Sequence, residues 1–114
     1  MNFRSIKKKF LNTTKENTQL KVEVYYSRGG WNFGTGKEDP RGYWLSIQPV
    51  TFTEEADVKL VTISLFSGLK QFLAATKADR KGGKTEQAAL RLAEQYEKRL
   101  LEQVCNKENI TLAA

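Results

Sequence analysis

Three times in the first two thirds of the chain apolar and polar residues alternate, and after that the pattern changes to steps of three and four. Leu20, Val22, Val24 and Tyr26 alternate with Lys21, Glu23, Tyr25 and Ser27, the signature of a half-buried strand over 20–27. Over 43–52, Tyr43, Leu45 and Ile47 fall on one side and Trp44, Ser46 and Gln48 on the other. Pro49 has no N–H to give to a ladder and marks an edge or the strand's end. A third strand covers 58–66, with Val61, Ile63 and Leu65 inward and Thr62 and Ser64 outward. Ser67 then reads as a helix N-cap, followed by Leu69, Phe72, Leu73 and Thr76 on one helical face. Thr85 is a second N-cap, ahead of the stripe Ala89, Ala93, Tyr96, Leu100 and Val104 and the stop signals Asn106 and Lys107. The segments 67–79 and 85–105 form either one bent helix or two. Gly82-Gly83 between them costs roughly 2 kcal/mol in a helix relative to alanine, which favours a break.

Consecutive strands followed by helices predict an α+β fold: an antiparallel three- to four-stranded meander packed on one face by C-terminal helices. Residues 1–19 read as a basic arm or short helix, because Phe3, Ile6, Phe10 and Leu11 have helical spacing. Residues 20–114 read as a single α+β domain, whose tail Ile110–Leu112 is a small edge strand or loose. The 114 residues suit one domain. The N-terminus has positive charge but no apolar run behind it, and no stretch is long enough to span a bilayer, so the expected location is cytoplasmic, with no membrane partner.

Nineteen Lys and Arg stand against thirteen Asp and Glu, a formal charge of +6. That balance suits a polyanionic partner, and equally an ordinary basic domain. There is no histidine, which removes the commonest general base and metal ligand together. The one cysteine, Cys105, falls among Leu101 and Val104 and reads as a packing residue. Gly82-Gly83-Lys84-Thr85 ends like a phosphate loop but has Ala78 where that loop needs its first glycine. Gly34-Thr35-Gly36 fails as a dinucleotide fingerprint. Glu54, Glu55 and Asp57 lack the spacing of a calcium loop and read as a solvated connection. The expectation is a protein that is not an enzyme, with no cofactor and no metal.

The concentrated signal lies between the first two strands. Five glycines and a proline between 28 and 42 argue against a regular element through the middle of that stretch. Around it stand Tyr25, Tyr26, Arg28, Trp31, Phe33, Lys37, Arg41, Tyr43 and Trp44. Aromatic faces stack on unpaired bases and cations neutralise phosphate. With Val22, Val24, Leu45 and Ile47 toward the helices, Tyr25 and Trp44 point to the open sheet face, beside Ser27, Ser46, Gln48, Thr62 and Ser64. The candidate nucleic-acid-binding residues are Tyr25, Arg28, Trp31, Phe33, Lys37, Arg41 and Trp44, helped by Lys7, Lys8 and Lys9, with Arg80, Lys81 and Lys84 as further phosphate contacts. The alternative is a protein-interaction module, a homodimer or a phage or mobile-element adaptor or inhibitor, with Trp31, Phe33 and Trp44 as interface anchors. A third assignment folds Trp31 and Phe33 back to close one end of the core.

The runs Val24–Lys37, Arg41–Val50 and Leu65–Leu69 resemble a group of uncharacterised small proteins of Bacteroidota genomes, phages and mobile elements, over roughly residues 20–105. The resemblance implies an accessory protein in a bacterial or phage cytoplasm and carries over no catalytic residue. The order of sheet and helix is also similar, as architecture, to the PC4/Whirly single-stranded-DNA-binding fold. The Lys-Gly-Lys-Ala motif of the Whirly branch is absent from this chain.

Overall fold

The computed structural model describes residues 3–55, 58–63, 68–74 and 84–113. It is an antiparallel sheet covered on one face by a C-terminal helix. The strands are β1 (Phe3–Asn12), β2 (Thr18–Ser27), β3 (Gly30–Asn32), β4 (Lys37–Asp39), β5 (Gly42–Glu55), β6 (Val58–Ile63) and β7 (Leu69–Ala74), followed by helix α1 (Lys84–Glu108). The main sheet runs β1-β2-β5, and β5 is then shared by two partners. Its C-terminal half pairs with β6 and its N-terminal half with β7. Five strands therefore make four rows of a meander, as the pattern of the sequence predicts.

The β5 register explains Pro49. This proline lies inside the strand, opposite Leu20 of β2, and not at an edge or end. On the other side Val50 pairs with Ile63 and Ile47 with Leu69, and no described strand pairs with Gln48 or Pro49. The missing N–H falls where the outer row is broken. Gly68 closes that gap at φ +88°, and a Cβ there would lie 2.3 Å from the Ile47 carbonyl oxygen. Only glycine tolerates both the dihedral and the approach.

Two segments depart from the expected elements. Residues 3–12 are a strand, neither arm nor helix. Ile6 and Leu11 are five apart, which a simple alternation cannot place on one face. The bulge between Ser5 and Lys7 absorbs one residue, and both side chains then pack against the core. Residues 69–74 are likewise a strand and not a helical face. Leu69 and Leu73 both meet the core, but a spacing of four is common to a strand and a helix, so periodicity could not separate them. Pairing with β5 decides it. The expected cap Ser67 and the helical position Thr76 lie outside the described residues, as do Ala78 and Gly82-Gly83.

The core lies between the sheet and α1. Leu20, Val22, Val24, Tyr43, Leu45 and Ile47 face Ala89, Ala93, Leu100 and Val104, the stripe read from the sequence. Burying a Leu or Ile side chain contributes about 1.5–3 kcal/mol. The helix stops at Asn109, not at Asn106-Lys107. Asn109 has φ 53° and the Ile110 N–H donates to the Cys105 carbonyl at 3.0 Å, a Schellman closure with Ile110 buried as its apolar contact. Cys105 is half-buried against the core, as a packing residue. The tail does add an edge bridge, Thr13 to Leu112. Among the described residues no helix is long and apolar enough to cross a membrane.

Candidate functional site

The alternation that points Val22, Val24, Leu45 and Ile47 at the helix points their neighbours the other way. Along the sheet's open face Ser5, Tyr25, Trp44 and Phe72 are cross-strand partners in one row. The next row is Lys8, Glu23, Ser46 and Lys70. Trp44 and Phe72 meet edge to face, with ring centroids 5.0 Å apart, the geometry their quadrupoles favour. Tyr25 and Trp44 are half-buried. Burial first, and then the carboxylates Asp39 and Glu23, push the Tyr25 hydroxyl well above its usual range, so it is a neutral phenol at physiological pH. Glu23 pairs with Lys21 at 3.6 Å, with both side chains largely covered.

Beyond β2 and β5 the chain continues as a narrow ribbon. β3 and β4 pair Gly30 with Asp39, Trp31 with Glu38 and Asn32 with Lys37. The middle of the stretch, residues 33–36, is a turn, as its glycines imply, with the short strands on either side of it. Asn32 organises its turn. Its side-chain oxygen accepts from the Gly34 N–H at 2.9 Å and its amide donates to Asp39 at 3.0 Å, an Asx turn of the kind asparagine favours. Gly29 adopts φ +80° at the ribbon's base, where a Cβ would lie 2.8 Å from the Asp39 carbonyl oxygen. At the tip Trp31 is 59 % and Phe33 91 % exposed. Neither folds back onto the core.

No protein-family model, curated protein or solved structure matches the chain. The residues themselves therefore carry the argument about the site.

Tyr25 and Trp44 stand together on the open face. Trp31, Phe33 and Lys37 stand on the exposed ribbon, and Arg28 is exposed at its base. Arg41 is drawn aside: its Nε donates to the Tyr26 hydroxyl and its guanidinium lies 5.9 Å from that ring's centre. The three lysines of β1 part company. Lys8 is on the open face opposite Glu23, and Lys7 is on the helix side opposite Val24. Lys9, also on the helix side, binds Glu97 at 2.9 Å. The ribbon is less basic than its composition suggests, because Arg28, Lys37 and Arg41 are offset by Glu38 and Asp39. Positive charge is densest on β1, where Arg4, Lys7, Lys8 and Lys9 meet no acid of their own strand. Reading 69–74 as helix concealed Phe72 and Lys70, and the alternation Lys70-Phe72 against Leu69-Leu73 is the signal that would have found them. Arg80 and Lys81 lie outside the described residues. Among the described residues no group of acidic or sulfur side chains could hold a metal ion.

Proposed function

We propose that the protein is a non-enzymatic binder of single-stranded nucleic acid. The exposure of Trp31 and Phe33, next to an open sheet face that carries Tyr25, Trp44 and Phe72 in a row, is the observation that supports this reading. A large aromatic left in water without a polar partner is a stacking surface, and base stacking contributes about 1–3 kcal/mol per base. Glu23 and Asp39 flank Tyr25 and repel phosphate. The aromatic row therefore takes bases, while the sugar-phosphate chain runs outside it over Lys8, Lys70, Arg28 and Lys37.

Fluorescence anisotropy with a labelled single-stranded oligonucleotide tests this. Four phosphate contacts on a single strand give a slope of log affinity against log salt of about −3, or roughly fiftyfold weakening between about 50 and 200 mM. Phe33→Ala should weaken binding by tenfold or more. No binding at low salt, or a flat salt response, would refute the proposal. The exposure of Phe33, which has no polar atom, also suits a protein interface with Trp31 and Phe33 as anchors. Light scattering tests the homodimer form of that reading, which requires a self-associated state that Phe33→Ala dissolves.

A further inference from the structure

Among the described strands β1 has a neighbour on one side only. Its other edge, from Phe3 to Leu11, is paired by no described strand. Just past that stretch the same edge already accepts a strand. The Ala113 N–H donates to the Asn12 carbonyl at 3.0 Å and the Thr14 N–H to the Thr111 carbonyl at 2.8 Å, around the antiparallel bridge Thr13–Leu112. Residues 12 and 14 therefore direct their backbone groups outward. The alternation of an extended strand gives Phe10 and Lys8 the same direction, while Leu11, Lys9 and Lys7 turn theirs to β2. The edge is a ladder of alternating donors and acceptors with its first rung filled by the tail.

We propose that this edge is a docking site for an extended acidic segment of a partner protein, added to β1 as a further antiparallel strand. Complementarity selects this occupant. A polypeptide supplies donors and acceptors in the same alternation, whereas a nucleic-acid backbone supplies acceptors. Main-chain bonds give such a complex its affinity and the side chains its selectivity. Arg4, Lys7 and Lys8 are exposed and form no ion pair among the described residues. Lys9 is already held by Glu97. Carboxylates fit opposite Lys7 and Lys8, and an apolar side chain fits against Phe10, which is 46 % exposed. A second copy of the chain is the wrong occupant. Antiparallel self-pairing sets the Lys7–Lys9 runs of the two copies against each other, the repulsion by which edge strands avoid their own kind.

The test uses a labelled peptide of about ten residues containing Val-Thr-Glu-Glu, which in antiparallel register sets valine against Phe10 and the two glutamates against Lys8 and Lys7, and the same peptide N-methylated at alternate amides. Anisotropy should show binding of the first, and N-methylation should weaken it at least tenfold with charge unchanged. Lys7→Glu with Lys8→Glu should weaken it by a similar factor, and Phe33→Ala should leave it unchanged while reducing oligonucleotide binding. Three results would overturn the proposal: no binding at low salt, equal binding of the methylated peptide, or a dimer in sedimentation velocity that excludes the peptide. The methylated probe keeps the test decisive even if the double variant folds poorly.

Discussion

On β5, Leu45 is fully buried while Trp44, one residue earlier, is half exposed; on β2, Val24 and Tyr25 repeat the contrast. The two faces of this sheet are built from the same strands under different rules. The helix face is aliphatic at its centre and sealed by α1, with the Tyr26 and Tyr43 hydroxyls at one end and Lys7 and Lys9 along its β1 margin. The open face is aromatic and charged, with the pair Lys21–Glu23 nearly covered beside Tyr25. Burial on the first face maintains the fold. On the second, Glu23, Ser46 and Val50 are buried while Tyr25 and Trp44 stay half-covered, leaving rings that are positioned by their neighbours and still reachable. Such a half-covered, rigidly spaced set of rings is what a ligand with flat faces requires.

The sharpest way to break this contrast is to damage the sealed face. Leu45→Ala should cost about 3 kcal/mol, lowering Tm by roughly 10 °C in thermal denaturation, because the cavity it leaves is walled by α1 and cannot collapse. The open face is probed by pH. Tyr25 has a folded-state pKa raised above its unfolded value of 10.0. Its neutral form is favoured by the fold, so the associated stability is fully present below about pH 10 and is lost as pH rises toward the folded value. Tyr25→Phe should flatten that alkaline loss, and absorbance titration should lose a late-ionising tyrosinate component, one of four tyrosines. The smallest effect belongs to the ribbon tip. Phe33→Ala should change stability by less than about 0.5 kcal/mol in urea unfolding, so that any loss of oligonucleotide binding in this variant is a loss of contact.

The helix face was legible in the sequence almost to the residue. Period two on 20–27 and 43–52 and the three-four stripe from Ala89 to Val104 are long and unmixed, and each became what its period implied. The errors share one cause, which is that a short segment underdetermines its period. At 3–12 a bulge broke the alternation, and at 69–74 the spacing of Leu69 and Leu73 fitted two geometries. Both segments take their conformation from pairing with a neighbouring strand, β1 with β2 and β7 with β5, which no local pattern reports. Trp31, Phe33, Tyr25 and Trp44 were found because aromatics near glycines are conspicuous. Their division into a solvated tip and a half-buried row was not, since it depends on which partners β5 acquires across the sheet. The drawing of Lys9 to Glu97 and of Arg41 to Tyr26 likewise follows from tertiary contacts, and it thins the set of available cations.

The lid of this molecule is encoded after the sheet it covers. α1 begins at Lys84 and ends at Glu108, whereas the apolar faces it covers on β2 and β5 are complete by Ile47 in the core. Sixty-one residues separate Ile47 from Glu108, and at about 5–20 residues per second a ribosome needs roughly 3–12 s to supply them. During that interval the nascent sheet carries Leu20, Val22, Val24, Leu45 and Ile47 uncovered, so its maturation is timed by translation and by whatever shields an oily surface in the meantime.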